Sequence, residues 1–131
     1  IIHESRFTYP RHGLVALVDL GAWWEGETGL PIPLGGILAR RALGGETIRA
    51  VEDAIRRSVE HAFAYPADGL PYLRAHAQEM EEEVMRHHVE LYVNDFSRDL
   101  GEEGERAVRE LFRRGRGAGV IPAAERSLFA E

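Results

Sequence analysis

The spacing of apolar residues changes near residue 44, and this change limits the folds open to the chain. Before it, apolar residues form short continuous runs, such as "LVALVD" at 14–19 and "ILA" at 37–39, which are typical of buried strands. After it, they recur every three or four residues between arginines and glutamates, as amphipathic helices require. The pattern predicts an α/β chain with a few short strands in its first third and helices in the rest.

A short helix is expected directly after the first apolar run. Asp19 can accept hydrogen bonds from the free amides that begin a helix over 20–28, and Gly29 can end that helix. Trp23 and Trp24 are neighbours within it, so the two indoles cannot both face one core. We expect one indole to pack inside and the other to cover a cleft or an interface.

Local signals also predict where the later helices begin and end. Pro66 is expected to end one helix, and Asp68 to cap the next. An apolar stripe over 80–96 predicts a single helix there. Asp99, followed three residues later by Glu102, has the pattern of a capping box, so the last helix should begin at this point.

Composition excludes several classes of function. The 131 residues carry a net charge of −6, which repels nucleic acid and anionic membranes. The absence of cysteine excludes disulfides and thiolate chemistry and fits a reducing compartment such as the cytoplasm. All 16 basic residues are arginine, so no lysine is available for a Schiff base. No apolar run approaches the roughly 20 residues needed to cross a bilayer.

Among the histidines, His3 has the most suggestive position. It follows two β-branched residues and precedes a polar run, where a strand is expected to give way to a loop. The imidazole is suited to proton transfer near neutral pH, so His3 is interpreted either as a catalytic base or as a structural residue. The remaining candidates lack metal-ligand spacing, and no metal site is expected: His61, His76, His87 and His88.

The run "GLPIPLGG" at 29–36 is rich in glycine and proline but matches no phosphate-binding pattern. Its two prolines fix the backbone in an extended form. Such a segment can present a rigid apolar wall to a ligand.

Two longer stretches make the chain resemble a known family. "HESRFTY" at 3–9 and "DLGAWWEGETGLPIPLG" at 19–35 are similar to motifs of the 1,4-dihydroxy-6-naphthoate synthases, and the similarity continues through "RAHAQEMEEEVMRHHVELYVNDFS". The resemblance covers essentially the whole chain. It corresponds only to about the carboxyl-terminal half of the family's length.

The resemblance implies a two-lobed fold like that of type II periplasmic binding proteins. Residues 1–13 would then be the end of a second-lobe strand and the crossing back to the first lobe. Residues 14–131 would be the carboxyl-terminal part of the first lobe with a helical tail. The upstream half of the same polypeptide would be a required partner.

The resemblance also implies a function. The family members are lyases that convert cyclic dehypoxanthine futalosine to 1,4-dihydroxy-6-naphthoate and dihydroxyacetone in menaquinone biosynthesis. His3 matches the family's catalytic base, and no metal or organic cofactor is implied. We expect Ile32, Pro33 and Leu34, here called the wall segment, to contact the bicyclic substrate. A cytoplasmic location is expected.

Two alternatives stay open at this point. Chorismate dehydratase of the same pathway resembles this fold and also binds a cyclic carboxylate. A non-enzymatic solute-binding module would keep two lobes and lack the base. The 131 residues alone are expected to be inactive, because half a cleft cannot enclose a substrate. They are also expected to be poorly soluble, because the predicted strand at Leu14 to Val18 would lack its sheet neighbours.

Overall fold

The computed structural model describes residues 1, 5–76, 81–123 and 126–129, most of which are helical. The helices are α1 (Ser5–Thr8), α2 (Leu20–Thr28), α3 (Gly45–Ala64), α4 (Pro66–His76), α5 (Glu82–Tyr92), α6 (Asp95–Arg98) and α7 (Gly101–Gly117), with 3-10 turns at Tyr9–His12 and Arg41–Leu43. None of the helices in these ranges is long and apolar enough to cross a bilayer.

The predicted fold class is wrong. Within the described ranges there is no strand, so the α/β periplasmic-binding-protein-like fold with a few short strands is not observed. Residues 14–19 and 37–39 are irregular segments, and Ser5 already belongs to α1. A strand needs a neighbour whose backbone completes its hydrogen bonds, and no described residue bonds the backbone of 15–18 or 37–39. Apolar composition alone therefore did not produce strands.

The chain divides into two compact units, and each unit uses two separate stretches of sequence. The first unit comprises Ile1–Val18 and Ala54–Asp99. The second comprises Asp19–Asp53 and Leu100–Glu131. The predicted boundary between residues 13 and 14, where the first lobe would begin, is not tested by these units and stays a prediction.

The buried apolar residues of the first unit lie on α5. Val84 and Met85 are buried there, and Thr8 at the end of α1 is buried as well. Burying a side chain the size of Met85 stabilises a fold by about 1.5–3 kcal/mol. Arg11 and Glu81 form a two-pronged ion pair, with N–O distances of 2.6 and 2.9 Å, that joins the first 3-10 turn to the start of α5.

The buried residues of the second unit lie on α2 and α7. Trp24 of α2 and Ala107 of α7 are its most buried apolar residues, with exposed fractions of 5% and 2%. Farther along the unit, the Arg109 guanidinium lies 4.8 Å from the ring centre of Phe129. Arg41 donates a hydrogen bond to the carbonyl of Ser127. These contacts hold the segment that follows α7 against the rest of the unit.

The helix ends of α2 are as predicted. The Asp19 carboxylate accepts hydrogen bonds from the amides of Gly21 and Ala22 at 2.8 and 3.2 Å. Gly29 ends the helix with φ 66°, a left-handed conformation that strains residues carrying a Cβ.

The later helix ends are only partly as predicted. Helix α3 ends before Pro66, but Pro66 itself begins α4, so Asp68 lies inside the first turn rather than capping it. The helix predicted over 80–96 is interrupted, because α6 begins anew at a capping box made by Asn94 and Ser97. Asp99, predicted to cap the last helix, is not the residue directly before it, because α7 begins at Gly101 after Leu100, whose side chain makes no capping hydrogen bond.

Gly115 is a close-packing position in α7. A Cβ built there would overlap Ile121, whose Cγ1 lies 2.9 Å away and whose Cδ1 lies closer still. Gly115→Ala is therefore expected to lower the free energy of unfolding by about 1–3 kcal/mol, measured by urea denaturation. Gly117→Ala is the matched control in the same helix, because a Cβ there meets no atom within 4 Å. An equal loss in both variants would contradict the packing explanation.

Candidate functional site

The wall segment follows α2 in the second unit. Ile32 and Pro33 are half-buried, whereas Leu34 is exposed. Ile32 packs beside Gly21, since its Cγ2 lies 3.6 Å from the point where a Cβ of Gly21 would be. Pro31 and Pro33 have no amide hydrogen, so the segment has few donors with which to hold itself in a regular element. Its position must depend on side chains from neighbouring elements.

One such side chain is Trp24. Its indole Nε1 donates a hydrogen bond of 3.1 Å to the carbonyl of Pro31, directly before the wall segment. Trp23, by contrast, is 52% exposed, against 5% for Trp24. The expectation that only one of the two indoles faces the interior is confirmed. The buried indole thus combines an apolar packing role with one directed hydrogen bond.

Thr28 supports the same segment one helical turn later. Its hydroxyl donates to the carbonyl of Trp24 at 2.8 Å and accepts from the amide of Leu30 at 3.1 Å. The hydroxyl therefore links the end of α2 to the residue that leads into Pro31. Together, Trp24 and Thr28 fix the direction in which the chain leaves the helix.

Helix α7 supports Trp24 from another side. The Arg114 guanidinium lies 5.3 Å from the centre of the Trp24 ring, a cation–π arrangement. Arg114 is itself held by Glu110 at 2.8 Å, and Glu110 also receives two hydrogen bonds of 2.6 Å from Arg113. The hydrogen bonds from Arg113 and Arg114 lower the pKa of Glu110 to about 2. The carboxylate stays charged throughout the ordinary pH range.

Glu110→Gln is expected to destabilise the protein in a pH-dependent way. The folded-state pKa of Glu110, about 2, lies below its ordinary value of 4.5, so the charged carboxylate stabilises the fold above pH 4.5. This stabilisation is lost as the pH falls from 4.5 toward 2. The urea midpoint of the variant should therefore lie below that of the wild type at pH 7, and the two should converge in acid. Because the group meets solvent, the difference should be small.

The control for this prediction is Glu25→Gln. Glu25 is an exposed carboxylate on α2 for which no ion pair is found among the described residues. Its replacement should leave the midpoint unchanged at both pH values. A midpoint difference for Glu110→Gln that stays constant from pH 7 down to pH 2 would contradict the assigned role of the charge.

Three histidines of the first unit make contacts close in sequence, whereas the ring of His87 lies 6.0 Å from the ring of Phe7. His61 Nε2 lies 3.1 Å from an Asp68 oxygen, and His76 stacks on Tyr72 with ring centres 4.1 Å apart. His88 meets the edge of Tyr92. Over residues 5–76 and the other described ranges, no three histidine or acidic side chains come together as a metal site would require.

His3, the predicted base, lies outside the described residues. Its role and the substrate contacts of the wall segment therefore stay predictions. The sequence analysis did not predict the contacts that position the wall segment. It assigned no role to Thr28 and no contact between Arg114 and Trp24. One signal was available, since Trp24 and Thr28 are four residues apart and share a helix face. The contact of Arg114 with Trp24 joins residues 90 positions apart and has no local signal.

Comparison with known proteins gives consistent matches. A family described as menaquinone biosynthesis matches residues 1–117. A protein of Thermus thermophilus named "1,4-dihydroxy-6-naphtoate synthase" is 61% identical over 129 residues, which are 98% of this chain and 47% of that protein. A protein of Streptomyces coelicolor with the same name is 50% identical over 123 residues, 94% of this chain and 44% of that protein.

The chain thus spans about half the length of the curated relatives it matches. The resemblance seen in the motifs at 3–9 and 19–35 is confirmed, because both stretches fall within the matched region. Together these matches place the chain in the menaquinone biosynthesis family.

Proposed function

We propose that the polypeptide to which this chain belongs is a lyase of menaquinone biosynthesis. It would convert cyclic dehypoxanthine futalosine to 1,4-dihydroxy-6-naphthoate and dihydroxyacetone. The observation that carries the proposal is the 61% identity, over 98% of the chain, to a protein named as the naphthoate synthase. The proposal includes a cytoplasmic location, which the cysteine-free composition permits.

His3 is the proposed base of the reaction. The substrate must lose a proton, and the electrons released must move toward the ring that becomes aromatic. Aromatisation supplies driving force, so a single well-placed base in a site that excludes water can suffice. A neutral imidazole can take up that proton near pH 7 without help from a metal.

The wall segment is the proposed apolar surface for the bicyclic ring system. Leu34 exposes 61% of its surface, while Ile32 and Pro33 are packed from behind. Exposed apolar side chains on a rigid backbone suit a flat ring, because little conformational freedom is lost when the ring binds.

The rest of the polypeptide is the proposed partner of this chain. Leu17 and Leu38 expose 94% and 93% of their surface, and Val15 and Ile37 beside them are also largely exposed. Soluble proteins rarely leave such apolar runs uncovered. The relatives have about as many further residues as this chain contains, which is enough to cover these segments.

A turnover assay on the complete polypeptide tests the proposal. The purified protein is mixed with cyclic dehypoxanthine futalosine, and the naphthoate and dihydroxyacetone are both quantified by chromatography. Equimolar appearance of the two products is the expected result. Binding of the substrate without any product would contradict the lyase and favour a solute-binding protein. Dehydration of chorismate by the same preparation, without naphthoate release, would favour the other enzyme of the pathway.

A further inference from the structure

We propose that Trp24 is a positioning residue that holds the wall segment in place for the substrate. This inference rests on the proposed function, because the wall segment is a substrate surface only if the lyase assignment holds. The indole N–H reaches the carbonyl of Pro31, one residue before the wall segment. No described residue accepts from the amides of Ile32 or Leu34, so this bond is a main tether of the wall segment.

Trp24 can act as a rigid support because it is itself fixed on several sides. It is 5% exposed, its carbonyl receives the Thr28 hydroxyl, and its ring faces the Arg114 guanidinium. Arg114 is bonded to Glu110 within the same helix, and its Nη2 also lies 3.5 Å from the carbonyl of Glu27 on α2. The indole therefore cannot turn away from Pro31 without breaking contacts to α7.

The expected consequence concerns substrate binding more than the chemical step. Loss of the indole N–H leaves a carbonyl without its partner and frees the wall segment to take other positions. A surface that must be ordered at each binding event binds more weakly. The base is a different residue, so the rate of the bound complex should change little. One hydrogen bond of ordinary strength corresponds to a change of up to about tenfold in KM.

The test compares Trp24→Phe with Trp23→Phe in the complete polypeptide. Phenylalanine keeps the aromatic packing at position 24 and removes only the donor and part of the ring. Trp23 is the matched control, because it is the adjacent residue with the same side chain and is half-exposed. Thr28→Val is a second variant that keeps the shape of the side chain and removes the hydroxyl bonded to Leu30.

Two readouts are measured, steady-state kinetics and the NMR backbone order parameters of the amides of Ile32 and Leu34. We expect Trp24→Phe to raise KM by about tenfold with kcat within about twofold, and to lower the order parameters of both amides. Thr28→Val should act in the same direction with a smaller effect, and Trp23→Phe should change neither readout. An unchanged KM, or a loss confined to kcat, would overturn the positioning role.

The order parameters keep the inference separate from the proposed function. If the wild-type polypeptide shows no turnover, the lyase assignment fails, and the order parameters still report whether Trp24 tethers the segment. Unchanged order parameters in Trp24→Phe would then overturn the tether itself. An equal decrease in Trp23→Phe would also overturn it, because the effect would not depend on the indole bonded to Pro31.

Discussion

Replacement of His3 by alanine in the complete polypeptide is expected to lower kcat by about 10²–10⁴-fold. Alanine cannot take up the proton whose removal is proposed to start the reaction, and solvent replaces a base poorly in the proposed water-excluding site. The substrate should still bind, because the proposed apolar contacts of the wall segment are unchanged by this substitution. The measurement is the initial rate of naphthoate release at saturating cyclic dehypoxanthine futalosine, with KM determined in parallel.

His12→Ala is the control for this experiment. His12 is an exposed histidine in the 3-10 turn Tyr9–His12, nine positions from His3 in the sequence. Its replacement should leave kcat unchanged. A variant lacking His3 that retains the wild-type rate would move the base to another residue while keeping the lyase assignment. A large loss in both variants would point to a structural effect on this part of the chain.

The second large effect is expected when the 131 residues are produced without the rest of the polypeptide. Turnover should fall below detection, because the segments proposed to meet the other half are left uncovered. The same preparation should self-associate, since Leu17 and Leu38 are almost fully exposed. The measurements are the turnover assay above and light scattering after size-exclusion chromatography. Naphthoate release by the segment alone would contradict the proposed need for its partner.

Substitution of the exposed leucines tests why the segment associates. Leu17→Asp and Leu38→Asp should each shift the chain toward the monomer, because a charge on either run disfavours apolar association. Thr47→Asp is the control, as it adds the same charge at an exposed polar position. If all three variants shift the chain toward the monomer to the same extent, then net charge, rather than the apolar runs, governs association.

The success of sequence reasoning depended on how local the determining interactions were. The caps at Asp19 and Gly29 and the split between Trp23 and Trp24 were predictable, because each depends on neighbours within one or two helical turns. The irregular structure of 14–19 and 37–39 was not predictable in this way. A strand requires a distant partner, and the described residues supply none for these two segments.

The helix ends show the same limit at a smaller scale. A capping box forms at Asn94 and Ser97, where none was predicted, and α7 begins two residues after Asp99 with Leu100 as the residue before it. For the site, the motifs predicted His3 as the base and the wall segment as a substrate contact, and both stay predictions. The Trp24–Arg114 contact, by contrast, depends on two helices far apart in sequence.

The division of each unit into two stretches of sequence affects how the protein is made on the ribosome. A nascent chain that has reached Asp99 contains all the residues of the first unit. It contains only Asp19–Asp53 of the second, because Leu100 and α7 have not yet been synthesised. Until then, the indole of Trp24 has no Arg114 to pack against. Of the two units, the second is therefore completed later during translation, and its segment Asp19–Asp53 stays without its α7 contacts until then.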